Sequence, residues 1–355
     1  MFNVVSQEHR MVSESVQRLF KDLKAADTEK RQRNGSRIDS AVVGQALKDL
    51  GLFGTSADEA FMVSPQVQAI VALEAGASAL PFPVLEALAT HSTMLSVGYT
   101  ADVDSGDIIT LSTASPKLSE LPVFEGGRLS GSSLLVSFPQ VAGRALIEAR
   151  QEMGSVLLVV DLGNPGVTRR KRESVETDYC LDDLTFDQVA ALPLTGAVAS
   201  TSDSSAFLRQ RVALLAAAEI AGACRSLVKM TQEYLLTRSQ FGQVLGANQV
   251  LKHAIADNLV SVEAMTASIE FAAAALDAGE CDADAAVCAA KLYAGRVGKA
   301  VADSSLQLHG AIGYTNEYHL HILMRRVYRL AASCGSGRVQ SERLFKMFKQ
   351  GVLND

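Results

Sequence analysis

The chain has 355 residues, 48% of them apolar and 20% charged, the composition of an ordinary folded protein, which excludes disorder as the account of any long stretch. That length exceeds one usual domain, so two or three structural units are expected. A net charge of -6 offers no basic field to phosphodiester backbones or anionic lipid and points away from nucleic acid as a partner.

From Val5 to Tyr99 apolar residues recur at steps of three and four, as in Val12, Val16, Leu19, Phe20 and Leu23, with charges between them. That pattern predicts amphipathic helices, four or five of them, in a first unit over residues 1–106. Breaks are expected at Asn34-Gly35-Ser36, at Gly51 to Ser56 and at Pro81-Phe82-Pro83, where Gly and Pro interrupt the backbone ladder. The N-terminus carries Glu8, Arg10, Glu14 and Arg18 in place of a basic start and an apolar core, so no signal peptide is read there and a cytoplasmic location is expected. The contiguous apolar runs, such as Val212 to Ala218 and Phe271 to Leu276, are far shorter than the ~20 residues a bilayer crossing needs.

Between Ile108 and Leu194 the period changes. Ile108–Ser112, Arg128–Phe138, Ala145–Ala149 and Val156–Asp161 are short β-branched or apolar runs punctuated by Gly and Pro, which predicts a β domain over residues 107–200. Arg169-Arg170-Lys171-Arg172 reads as a solvated strand edge that discourages sheet-to-sheet pairing, in preference to a phosphate site. After Thr201-Ser202-Asp203-Ser204-Ser205, a helix-capping composition, long helical patterns run to Met347. Small residues at 216–218, 272–275 and 285–286 let these helices approach closely, as in a bundle over residues 201–355. The cysteines, five in number, form no CxxC pair. With His253, His309, His319 and His321 they make no recognised ligand spacing, and no metal is expected.

Two segments of the last unit carry chemistry. The first is Arg238-Ser239-Gln240-Phe241-Gly242, followed by Gln249 on the next predicted helix. An Arg at such a turn, with a Gly permitting close backbone approach and a Gln nearby, can clamp a pyrophosphate. The second is Gln307-Leu308-His309-Gly310-Ala311-Ile312-Gly313-Tyr314, where a helix gives way to a Gly-rich turn that can admit a ligand against bare backbone.

In this order, after an α-then-β layout, the two segments resemble the acyl-CoA dehydrogenase family over essentially the whole chain, most specifically from Val212 to Phe345. The fold class implied is α+β, with an N-terminal helical domain, a middle β domain and a C-terminal four-helix bundle. The resemblance implies a flavoprotein oxidoreductase that removes hydrogens from the α and β carbons of an acyl-CoA thioester, with FAD as cofactor. It makes Arg238, Gln240, Phe241, Gln249, Gln307, Gly310 and Ala311 the positions that contact the ADP half of a neighbouring subunit's FAD. Arg128-Leu129-Ser130-Gly131 and Leu134-Leu135-Val136-Ser137 resemble the family's ring-binding strand, which would place the Ser137 hydroxyl beside the flavin. An electron-transfer flavoprotein is the electron acceptor by the same analogy.

Departures from the family pattern bear on the mechanism. Counting without gaps from the second segment puts Cys334, in Ser333-Cys334-Gly335-Ser336, where the family's usual catalytic Glu stands. The alternative family position for that Glu, 26 residues before Arg238, is Val212. A thiol with an ordinary value near 8.5 is a poor base at neutral pH unless a cation such as Arg338 lies beside it. The family's ring-stacking aromatic corresponds to Leu135, and the chain has no tryptophan. A chain that keeps the residues given to a neighbour's cofactor and loses its own base is expected to complete a partner's site. The family includes paired subunits in α2β2 assemblies that handle bulky thioesters such as sterol side chains, and the Pro81-Phe82-Pro83 segment resembles theirs. Two other readings stand beside this one: an active homo-oligomer using Glu219, two helical turns after Val212, as its base, and a flavin-free acyl-CoA-binding scaffold.

Overall fold

In the computed structural model, residues 7–34, 38–52, 64–99, 108–114, 117–152, 154–194, 201–240 and 242–351 are described, and the change from helix to strand falls where the β-branched runs begin. The helices α1 (Gln7–Asn34), α2 (Ser40–Asp49), α3 (Pro65–Ser78) and α4 (Val84–Ser96) come first. Helix α1 runs to Asn34; Gly35 and Ser36 of the first expected break lie outside the described residues, as do residues 53–56 of the second. Helix α2 is started by Asp39, whose carboxylate accepts the Ala41 N–H at 2.9 Å. Helix α4 begins directly after Pro83.

Among the described residues eight strands follow: β1 (Ile109–Leu111), β2 (Val123–Glu125), β3 (Arg128–Ser137), β4 (Arg144–Gln151), β5 (Gly154–Asp161), β6 (Val167–Arg172), β7 (Leu181–Ala190) and β8 (Leu192–Pro193). They form one sheet in the order β6-β7-β3-β2-β4-β5-β8, with β1 parallel against β4. Four of them, β2, β6, β7 and β8, lie outside the four runs read as strands from the sequence. The basic run Arg169–Arg172 lies on the edge strand β6, as expected of a solvated edge. Arg169 donates to the carbonyls of Pro139 (2.8 Å) and Leu162 (3.1 Å), and Arg172 pairs with Asp183.

The last part of the chain is again helical: α5 (Thr201–Thr237), a small hairpin of β9 (Ser239–Gln240) and β10 (Gln243–Val244), then α6 (Gln249–Ala278), α7 (Ala283–His309), α8 (Leu320–Ala332) and α9 (Gly337–Lys349).

By packing the chain divides into two units that do not follow chain order. One takes Met1–Lys21, Ala69–Leu80 and Ala213–Asp355, the other Asp22–Gln68 and Pro81–Val212. In the first, α3 and α5 cross at backbone contact. A Cβ on Gly222 would lie 1.8 Å from the Leu73 carbonyl oxygen, and one on Gly76 would lie 2.0 Å from that of Glu219. Only glycine fits at either point. Polar contacts fix the crossing: Ser226 Oγ donates to the Ala77 carbonyl at 2.9 Å, and Arg225 pairs with Glu74 at 2.8 Å. The buried Arg326 guanidinium donates to the carbonyls of Ala75 (3.1 Å) and Leu80 (2.8 Å), capping the end of α3.

In the second unit the sheet buries one apolar layer, including Leu129, Ile147, Leu158, Val160, Leu184 and Phe186. Each such side chain contributes roughly 1.5–3 kcal/mol by leaving water. Helix α4 is buried along its length and tied to β1 by the Thr90 hydroxyl, which donates to the Ile109 carbonyl at 2.9 Å. The Pro81-Phe82-Pro83 segment packs its aromatic ring against Gly44 of α2, whose added Cβ would lie 3.2 Å from the ring.

Candidate functional site

Residues singled out in the last helices gather at one end of the first unit. The Arg238 N–H still donates to the Tyr234 carbonyl at 2.9 Å, and the Arg238 carbonyl accepts from the Leu245 N–H at 2.8 Å, so the β9–β10 hairpin folds back over the end of α5. The register pairs Gln240 with Gln243. Phe241, in that turn, lies outside the described residues.

The second motif reaches the same end through aromatic packing. Tyr234, one helical turn before Arg238, stacks on His309 with centroids 4.7 Å apart and planes at 25°. Tyr318 closes the cluster, 4.9 Å from His309 and 6.1 Å from Tyr234. His309 Nδ1 donates to the Ser305 carbonyl at 2.7 Å, while its Nε2 is buried with no protein partner. Burial holds its imidazole below the ordinary range, with the Ser305 carbonyl pulling the other way. This neutral ring is a hinge pin between the two motifs. Sequence reading treated His309 as ordinary packing and passed over Tyr234 and Tyr318; the one-turn offset of Tyr234 from Arg238 was the available signal.

Around the cluster Arg238, Gln240, Gln249, Gln307, Gly310 and Ala311 are all exposed. Gly310 has φ +61° and ψ -142°, a backbone region essentially confined to glycine, and the space beside its α-carbon is open. This end of the unit therefore offers a guanidinium, three side-chain amides and bare backbone to solvent, a donor set suited to a dinucleotide's phosphates and ribose.

Cys334 lies elsewhere in the same unit, in the turn after α8. It is buried, with φ +56°, and is followed by Gly335 at φ +84°. Below the turn is Lys291 of α7, 1% exposed, whose ammonium donates to the Leu330 carbonyl at 2.7 Å. That carbonyl is one of the last in α8, so Lys291 caps the helix from inside and neutralises its negative end. Arg338, considered as an activator of Cys334, is instead exposed and paired with Glu342 at 2.8 Å. Glu219 is buried on α5, its backbone at the Gly76 crossing. Arg225, further along the same helix, is engaged by Glu74.

Ser137 is in the second unit, at the end of β3, and fully buried. The Tyr179 hydroxyl donates to the Glu86 carboxylate of α4 and lies 2.8 Å from Ser137 Oγ. The Ser137 hydroxyl is thus enclosed beneath the sheet surface and hydrogen-bonded to Tyr179. Thr110 donates to the Ser137 carbonyl from β1, and Phe138 packs edge-on against Tyr179 at 4.8 Å. Leu135, at φ +54°, is held by its N–H to Asp183 at 3.1 Å. Nothing in the local sequence links Glu86, Ser137 and Tyr179, because the contact spans 93 residues. No group of three His, Cys, Asp or Glu residues converges among the described residues.

Helical ends flanking a mainly antiparallel sheet, with an Arg-bearing turn and a Gly-rich helix end at one corner of the bundle, define the acyl-CoA dehydrogenase fold. A variant of the Tcur3481-Tcur3483 steroid ACAD superposes with a TM-score of 0.84 at 24% identity, covering 97% of this chain and 98% of that one. The ChsE4-ChsE5 complex of Mycobacterium tuberculosis gives 0.84 at 20% identity, covering 99% of each chain. In sequence, residues 202–347 match the acyl-CoA dehydrogenase C-terminal domain. Acyl-CoA dehydrogenase FadE27 of M. tuberculosis is 27% identical over 304 residues, 78% of this chain and 79% of that protein. Acyl-CoA dehydrogenase IpdE2 of the same organism is 33% identical over a shorter stretch, 37% of this chain and 40% of its own length. Over residues 202–347 in sequence, and over nearly its whole length in fold, the chain is similar to acyl-CoA dehydrogenases.

Proposed function

We propose that this chain is one subunit of a two-subunit acyl-CoA dehydrogenase and completes the FAD site of a homologous partner, which supplies the catalytic carboxylate. The observation that carries the reading is an asymmetry. Residues suited to the ADP half of FAD (Arg238, Gln240, Gln249, Gln307, Gly310 and Ala311) are exposed, whereas the hydroxyl expected beside the flavin ring, that of Ser137, is fully buried against Tyr179. The residues present fit one half of the cofactor and not the other. FAD, when bound, supplies the two-electron acceptor for the acyl chain.

In this reading the Arg238 guanidinium binds pyrophosphate, the amides of Gln249 and Gln307 orient it, and Gly310 lets it approach the backbone. Cys334 occupies the position of the missing base, and packs there with no carboxylate to take a proton from the thioester's α-carbon. Support for a heteromer comes from structural relatives described as a Tcur3481-Tcur3483 steroid ACAD and a ChsE4-ChsE5 complex. A sterol-like acyl-CoA substrate, an α2β2 assembly, an electron-transfer flavoprotein as acceptor and a cytoplasmic location belong to the same proposal.

Titrating the purified chain with FAD and following flavin fluorescence tests it. The expected result is no stoichiometric binding by the chain alone. Tight one-to-one binding would contradict the reading.

A further inference from the structure

Lys291 and Cys334 are reactive side chains that the proposed function does not use, and the fold brings them together. Helix α7 packs against α8 and α9 on either side of Lys291. A Cβ on Gly295, one turn after it, would lie 3.7 Å from the Ala331 α-carbon, and one on Gly337 would lie 3.3 Å from the Leu292 side chain. The turn of residues 333–336, which joins Ala331 to Gly337, is thereby held against α7 at Lys291. The Lys291 ammonium reaches the Leu330 carbonyl, four residues before Cys334, at 2.7 Å. Its charge and that of an ionised Cys334 attract directly.

Three features set this pair apart from ordinary packing. Cys334 keeps φ +56°, a left-handed conformation that glycine adopts with less strain. Gln340, 1% exposed, meets the same turn: its Nε2 donates to the Gly335 carbonyl at 3.3 Å, and its Oε1 is buried with no protein partner. A new N–H or O–H made at Cys334 would answer that acceptor. The third feature is reactivity. An ammonium beside a thiol favours the thiolate, the form that attacks peroxide, and here it also neutralises the carbonyl end of α8 that would otherwise oppose the charge. Burial brings the Lys291 amine down to about 8, so roughly a tenth of it is neutral and nucleophilic at pH 7. A sulfenic acid formed beside such a nitrogen can condense with it.

We propose that Cys334 and Lys291 form a redox modification site, in which hydrogen peroxide oxidises the thiol and the amine then closes a sulfenamide between α7 and the α8–α9 turn. In the first step sulfur attacks the peroxide and gives it two electrons. The O–O bond breaks, one oxygen stays as the sulfenic hydroxyl, and the other leaves as water with the thiol's proton. In the second step the neutral amine attacks sulfur. An S–N bond forms, the S–O bond breaks, and the hydroxyl leaves with one amine proton as a second water. The product is two hydrogens lighter than the reduced chain. Dithiothreitol reverses it by attacking sulfur and releasing Lys291. The site does not depend on whether this chain holds flavin.

The test uses the full chain with Cys180→Ser and Cys281→Ser, which removes the two thiols that are not buried. It is treated with excess hydrogen peroxide, quenched, digested with trypsin and read by tandem mass spectrometry. The expected product is two hydrogens lighter, uncleaved after Lys291, joined there to Cys334, and lost on addition of dithiothreitol. Cys334 should be consumed at least about tenfold faster than Cys288, whose thiol burial pushes up to about 11. With Lys291→Met added, Cys334 should instead reach the sulfinic acid, two oxygens heavier, and be trapped on the way by dimedone. An unoxidised Cys334, a sulfinic acid beside a free Lys291, or a Cys288–Cys334 disulfide in the chain that keeps Lys291 would each overturn the inference. That digest decides alone if Lys291→Met fails to fold.

Discussion

Replacing Lys291 with Met tests how the turn that holds Cys334 is built. The Lys291 ammonium is pushed from its ordinary 10.5 down to about 8, first by burial, with Cys334 pulling it back up and Arg329 and Lys299 pushing it further down. In the unfolded chain the amine keeps its proton up to about pH 10.4. Between pH 8 and that value the unfolded state therefore binds the proton that the folded state has released, and stability contributed by this group rises with pH. Below pH 8 both states are protonated and the contribution is flat at its least favourable. A drop from 10.5 to about 8 corresponds to roughly 3 kcal/mol across the window. The thiols of Cys288 and Cys224, pushed up by burial to about 11 and about 12, act in the opposite sense, since the unfolded state ionises first as pH rises. They are shared by both proteins and cancel in the comparison. Urea unfolding of wild type and Lys291→Met at pH 7 and pH 10 should show the difference in stability moving toward wild type by a few kcal/mol at the higher pH. At pH 7 the two should agree within about 1 kcal/mol, because Met gives up the bond to Leu330 but also removes a desolvated charge. Parallel pH profiles would refute the reasoning.

Other substitutions probe separate parts of the account. Gly222→Ala forces a methyl to within 1.8 Å of the Leu73 carbonyl oxygen, so a loss of about 3 kcal/mol or more, or a failure to accumulate as folded protein, is expected in thermal unfolding; a small change would mean that α3 and α5 do not cross this closely. Tyr179→Phe removes the hydroxyl shared by Glu86 and Ser137 and should lower stability by about 1–3 kcal/mol, read from the urea midpoint. In the coexpressed pair, Arg238→Ala together with Gln307→Ala should leave the complex assembled on a sizing column but with reduced flavin; full retention of flavin would remove both residues from the site. Glu219→Gln in the same pair should leave turnover unchanged, whereas its abolition with flavin retained would make Glu219 the base.

The α-β-α plan was legible because each part depends on local pattern. Gly51 and Pro81-Phe82-Pro83 break helices by backbone chemistry alone, and the residues at 238–249 and 307–311 advertise themselves by spacing. Division into two packed units was not legible, since residues 69–80 join residues 213–355 through two glycines that look like ordinary helical positions in sequence. Strand β7 was missed because Leu181–Ala190 mixes aspartates with its apolar residues, and these sit on the exposed or ion-paired side. The Ser137 hydroxyl could be matched to a ligand by motif, but only tertiary structure brings Tyr179 and Glu86 to it. Cys334 could be located by counting, yet its neighbour Lys291 lies on another helix and leaves no trace in the local sequence.

Counting flavin per chain tests the central claim most directly. The chain should be purified alone and after coexpression with a homologous acyl-CoA dehydrogenase subunit, with visible absorbance and acyl-CoA turnover measured on each sample. The account predicts a colourless, inactive chain alone and a yellow, active complex with about one FAD per pair of chains, the ratio expected when each site takes its ADP contacts from one subunit and its ring contacts from the other. A yellow and active chain by itself would contradict it.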